Sequence, residues 1–191
     1  MRSPVPDYLD EVRRSCADDG DEGEVASYIP ELADADPERF GVAICTIDGT
    51  LYGAGDDEHR FTIQSISKPF AYALALADRG LETVLEHVGV EPSGDAFNEI
   101  SLERNGRPRN AMINIGAITT HTLVGEADAS PAERVERIRS GLSAFAGRGL
   151  EIDEQVYESE RSTSSRNMAL AYLVHAQGKL EGEPHDAVDG Y

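Results

Sequence analysis

Ser65 and Lys68 stand three residues apart in Phe61-Thr62-Ile63-Gln64-Ser65-Ile66-Ser67-Lys68-Pro69-Phe70. A serine hydroxyl is a weak nucleophile at neutral pH and needs a neighbouring base. A lysine one helical turn later lies on the same face, and its amine can take the proton if burial lowers its pKa. The bland alternative is a helix start with a capping serine and a solvated lysine. Lys68 and Lys179 are the only lysines in the chain, so the lysine of this pair is not drawn from a common pool. Pro69 requires the helix to begin only a few residues earlier, because its missing N–H is tolerated only in the first turn. Ser65 is then expected at a helix N-terminus, where backbone N–H groups could also serve a developing oxyanion.

The elements around this stretch read as a mixture of helices and a hairpin. Asp7 is a plausible N-cap for an amphipathic helix reaching about Cys16. Residues 25–32 read as a short helix or turn stopped near Pro30. Phe40 to Ile47 is apolar and β-branched and predicts a buried strand, Asp48-Gly49 a turn, and Thr50 to Gly55 the returning strand. A helix from Phe70 should stop near Gly80, and a second should run over residues 81–88. Ser130-Pro131 predicts a capped helix start. A last helix is expected over residues 162–177, with Glu160 just before it and Asn167 in its early turns. Asn114 is the one amide inside the apolar run Ala111 to Ile118. It either pins a turn or faces a ligand. No repeat or linker is evident, so one folded unit over residues 1–191 is expected.

Bulk composition narrows the function. There are 36 acidic and 17 basic residues among 191, for a formal net charge of -19. That argues against nucleic acid and anionic membrane surfaces as partners. Acidity with so few lysines also reads as adaptation to high salt. Cys16 and Cys45 have no metal-ligand spacing and make no disulfide framework. No apolar signal core opens the chain and no run is long enough to span a bilayer, so a cytoplasmic location is expected.

Several segments together resemble the serine-dependent glutaminases of the β-lactamase and penicillin-binding-protein-like superfamily. They are Tyr28-Ile29-Pro30-Glu31-Leu32, Phe61 to Lys68, Ser93-Gly94 with Phe97-Asn98, Asn110 to Ile118, Val156 to Glu160, and Arg166-Asn167. They keep the family's order and spacing. Ala111 and Ile115 depart from the family's usual proline and alanine but leave the polar residues intact. The resemblance implies an α+β fold of the β-lactamase/DD-peptidase type, with a helical region and the N-terminal hairpin of an antiparallel sheet. It implies L-glutamine hydrolysis to L-glutamate and ammonia through a Ser65 acyl-enzyme, with Lys68 as base and no cofactor or metal. It further implies that Tyr28, Ser65, Asn114, Glu160, Asn167 and Tyr191 hold the substrate, and that the full-length form is a homo-oligomer. Members of the family continue past the position of Tyr191, so the chain is expected to hold the N-terminal two-thirds of the catalytic domain. A β-lactamase or transpeptidase-like acyl-transferase and a non-catalytic fragment are the alternatives.

Overall fold

The computed structural model describes residues 3–17, 24–27, 29–96 and 98–191. Tyr28 and Phe97, both singled out above, lie outside the described residues. The chain divides into two compact units, residues 1–62 and 63–191.

In the first unit, α1 (Val5–Ala17) buries Leu9, and its Asp10 carboxylate accepts from Arg13 and Arg14 one turn on. The short α2 (Pro30–Ala33) begins at Pro30 rather than stopping there. A proline at the first helical position loses no intrahelical bond, since that N–H has no partner in any helix. Strands β1 (Gly41–Cys45) and β2 (Leu51–Gly55) pair antiparallel with Cys45 opposite Leu51. Their turn closes through Thr46 N–H to Thr50 O at 3.0 Å and Gly49 N–H to Thr46 O at 2.9 Å. Gly49 sits at φ 82, a conformation open to glycine at little cost. The strand expected to be buried is not. Ile44 is 44% exposed and Leu51 75%, because two strands with α1 packed against them offer too little cover.

The second unit is helical. A 3-10 turn (Gln64–Ile66) leads straight into α3 (Ser67–His87), which breaks at Gly80, φ 79 and ψ 159. Pro69 is the third residue of α3, within its first turn, as the missing N–H requires. Helices α4 (Asn114–Thr122), α5 (Pro131–Ala146), α6 (Glu154–Ser162), α7 (Ser165–Ala176) and α8 (Pro184–Gly190) follow. The α5 start is a full capping box: Ser130 accepts from Glu133 N–H, and the Glu133 carboxylate accepts from Ser130 N–H. The single helix expected over residues 162–177 is two helices, and Glu160 lies inside α6 rather than before a helix.

Helix α4 is the centre of this unit, with every residue from Ile115 to Thr122 buried. It separates two apolar clusters. One contains Leu74, Val84, Val88, Leu123 and Ile138; the other contains Ile113, Ile118, Leu170, Val174 and Leu180. Its buried threonines satisfy themselves on the helix: Thr119 donates to Ile115 O and Thr120 to Gly116 O, each at 2.8 Å. Among the described residues no helix is long and apolar enough to cross a membrane.

Candidate active site

The 3-10 turn carries Ser65 and the first turn of α3 carries Lys68. Residues three apart are neighbours on a helical surface, and the chain is helical from the 3-10 turn into α3. Ser65 is exposed, whereas Lys68 is only 4% exposed. Burial pushes the Lys68 amine down from 10.5 to about 8. Desolvation penalises the charged form, which makes the neutral amine accessible near physiological pH.

The segment that opens α4 supplies acceptors for the Lys68 amine. Nζ donates to Met112 O at 3.1 Å and to Asn114 Oδ1 at 2.7 Å. Asn114 is the first residue of α4, and it passes the contact on: its Nδ2 donates to Asn167 Oδ1, on α7, at 3.3 Å. Lysine can only donate while protonated, which assigns the Asn114 oxygen to Lys68 and its amide N–H groups to Asn167. Asn167 then keeps its own N–H groups for another acceptor. A second contact lies one residue before the serine. Gln64 Nε2 donates to Glu160 Oε1 at 2.7 Å. Gln64 has φ 45, a left-handed conformation that costs a residue with a Cβ on the order of 1 kcal/mol. Its bond to α6 helps to hold the backbone in that conformation beside Ser65.

The structure therefore brings Lys68, Asn114 and Asn167 into one hydrogen-bonded chain and joins Glu160 to the residue preceding Ser65. Tyr191 follows α8, its ring edge-on to His121 at 6.3 Å. Gln64 and the Met112 carbonyl were not among the residues singled out from sequence. Adjacency to Ser65 was a signal for Gln64. A backbone carbonyl carries no residue-type signal at all. Among the described residues no group of three or more His, Cys, Asp or Glu side chains is placed to hold a metal ion.

An exposed serine three residues before a buried lysine of lowered pKa has the residue types and spacing that serine acyl transfer uses. The glutaminase family model matches residues 23–191. A glutaminase of Corynebacterium efficiens is 52% identical over 100% of this chain. Among solved structures, Mglu in its L-glutamate binding form in the presence of 4.3 M NaCl is 48% identical, with a TM-score of 0.92 over 100% of this chain and 43% of its own. A "Probable glutaminase from Bacillus subtilis complexed with 6-diazo-5-oxo-L-norleucine" is 32% identical, with a TM-score of 0.82 over 100% of this chain and 58% of its own. The chain belongs to the glutaminase family, with the α+β fold of the serine β-lactamase-like enzymes. It spans 45% of the length of the Corynebacterium relative.

Proposed function

We propose that the protein containing this chain hydrolyses L-glutamine to L-glutamate and ammonia through an acyl-enzyme on Ser65. The supporting observation is the buried Lys68 amine, held by Met112 O and Asn114 Oδ1 one turn after the exposed serine. Ser65 Oγ attacks the side-chain amide carbon and Lys68 takes the hydroxyl proton. The C–N bond breaks as that proton passes to the departing nitrogen, giving ammonia and a Ser65 ester. Water then attacks the ester carbon and gives a proton to Lys68, which returns it to Ser65 Oγ as glutamate leaves.

Glu160 reads the substrate's α-ammonium in this scheme, sharing its carboxylate with Gln64. Asn167 offers N–H groups to the α-carboxylate, and Asn114 serves both lysine and substrate. Tyr28 and Tyr191 are assigned to the pocket wall by family resemblance. Residues 1–191 are read as the N-terminal two-thirds of one catalytic domain, acting in the cytoplasm as part of a homo-oligomer, and the net charge of -19 as adaptation to high salt. The relative bound to 6-diazo-5-oxo-L-norleucine supplies the reagent that tests the nucleophile. Mass spectrometry of the labelled protein should find the adduct on Ser65; an adduct on Ser67 instead would overturn the assignment.

Glu160 distinguishes a free amino-acid substrate from other amides. Glu160→Gln keeps the shape and removes the charge. Loss of one charge-assisted hydrogen bond of about 1.5–3 kcal/mol should lower kcat/KM for glutamine roughly 10- to 150-fold. Acylation of Ser65 by a small electrophile with no ammonium should be unchanged. Equal loss toward both reagents would mean that Glu160 acts in the chemistry or the fold instead.

A further inference from the structure

Asn114 and Met112 hold the lysine in different ways. Asn114 uses its side chain. Met112 uses only its backbone carbonyl, its side chain being 43% exposed. A carbonyl can be aimed at an amine only by the turn that carries it, and the turn from Asn110 to Ile113 is organised by one side chain. Asn110 Oδ1 accepts from Met112 N–H at 2.9 Å and from Ile113 N–H at 3.3 Å. This is the turn in which an asparagine side chain replaces a backbone carbonyl two residues before the donor. The other end of the same amide is anchored elsewhere: Asn110 Nδ2 donates to Glu91 O at 2.8 Å. The Glu91 backbone is itself tied down, its N–H donating to Arg109 O at 2.9 Å, while Gly89 N–H donates to Pro108 O at 2.8 Å. Packing tightens the turn from the other side. A Cβ on Gly116 would lie 1.8 Å from Asn110 O, so α4 approaches the turn at a distance only glycine permits.

We propose that Asn110 is a positioning residue for the Lys68 base, its carboxamide holding the turn that aims Met112 O at Nζ. This rests on the assignment of Ser65 and Lys68 made above and adds a residue to that machinery. Asn110 acts on the amine through the backbone of Met112. Met112 O and Asn114 Oδ1 are both neutral, and burial is the cause of the amine's lowered pKa. A carbonyl acceptor favours the ammonium over the neutral amine. Losing its aim should therefore lower the Lys68 pKa further while leaving the neutral amine poorly directed. The acid limb of the rate profile would move down in pH and its plateau would fall.

The Lys68 titration makes this measurable without turnover. Carbon-13 labelling at lysine Cε gives titrating signals, and loss of one in Lys68→Arg and of another in Lys179→Arg assigns these two. In Asn110→Ala the Lys68 midpoint should fall by roughly one unit, the scale of one weakened hydrogen bond to a charged group, with Lys179 unmoved. In Asn110→Ser the hydroxyl can accept the same Met112 N–H, and the midpoint should return most of the way. Where Asn110→Ala does not fold, Gly116→Ala displaces the same turn through its carbonyl and should move the midpoint in the same direction. Glutamine hydrolysis by folded Asn110→Ala should show a kcat loss of about 10-fold or more with KM little changed. An unchanged Lys68 midpoint in the folded variants overturns the proposal, since a purely structural asparagine would alter stability but not the amine. The displaced midpoint with no Ser65 labelling in the wild type would overturn the acyl-enzyme reading and leave the positioning intact.

Discussion

Helix α4 and strand β1 are built from similar residues and end in opposite environments. Both are mainly small or β-branched, yet α4 is buried from Ile115 to Thr122 while β1 buries none of its five residues. Apolar composition made both candidates for the interior. What separates them is the number of partners. Helices α3, α7 and α8 all pack on α4, whereas β1 has β2 and α1. Burial is a property of the layers that close over an element, and a two-stranded hairpin recruits few. Asn114, which meets Lys68, is the first residue of α4 and stands just ahead of its buried run.

The contrast can be broken most forcefully in α4 itself. Ile118 is fully buried between α4 and α7, and Ile118→Ala should cost near the top of the about 2–5 kcal/mol range for such truncations. Denaturant melts read this directly, and a cost under about 1 kcal/mol would show that α4 is not the core.

Acid should act next, through His121. Burial, then Arg134, pushes its imidazole down to about 3, and among the described residues nothing bonds its Nε2. The folded pKa lies below the unfolded value of about 6.5, so between those values the unfolded chain binds the extra proton. Stability should fall as pH drops from about 6.5 toward 3, by on the order of 4 kcal/mol in total. His121→Leu should flatten that decline in a pH series of thermal melts. An unaltered acid limb would mean other groups set it.

Lys68 gives a smaller effect on the basic side. Its folded pKa of about 8 lies below 10.5, so the unfolded chain holds the extra proton between them and stability rises across that window. Relative to Lys68→Met, the wild type should gain up to about 3 kcal/mol as pH is raised from 7 toward 10.5. A constant difference would place the charged amine in water rather than in the interior.

The hairpin should respond least. Ile47 at its turn is fully exposed, and Ile47→Ala should change stability by less than about 0.5 kcal/mol. A cost comparable to Ile118→Ala would show that the turn is covered in solution, by a further part of the protein or by a second copy.

Much of the local architecture was legible beforehand. Ser130, Pro131 and Glu133 announce the start of α5 by their types, because capping is settled within four residues. Gly80 marks the break in α3 for the same reason. The errors were also local in cause. Pro30 begins a helix where a stop is expected, since proline is compatible with either side of a boundary and only the following residues decide. The α6–α7 boundary at Thr163 and Ser164 carries no glycine or proline, so nothing in the residue types separates the two helices.

The sequence by itself determined the pairing of Ser65 with Lys68. A three-residue spacing puts two side chains on one face wherever the segment is helical, as it is from Gln64 into α3. It could not determine what surrounds that pair. Asn114 reaches Lys68 across 46 residues, Asn167 reaches Asn114 across 53, and Glu160 reaches Gln64 across 96. Family resemblance nominated Asn114, Glu160 and Asn167, but which atom meets which depends on how α3, α4, α6 and α7 pack. The same packing supplied the burial that lowers the lysine's pKa and the Met112 carbonyl that holds its amine. Spacing acts through covalent geometry and is written in the chain. Desolvation and backbone aim are set by elements distant in sequence, so only the tertiary structure decided them.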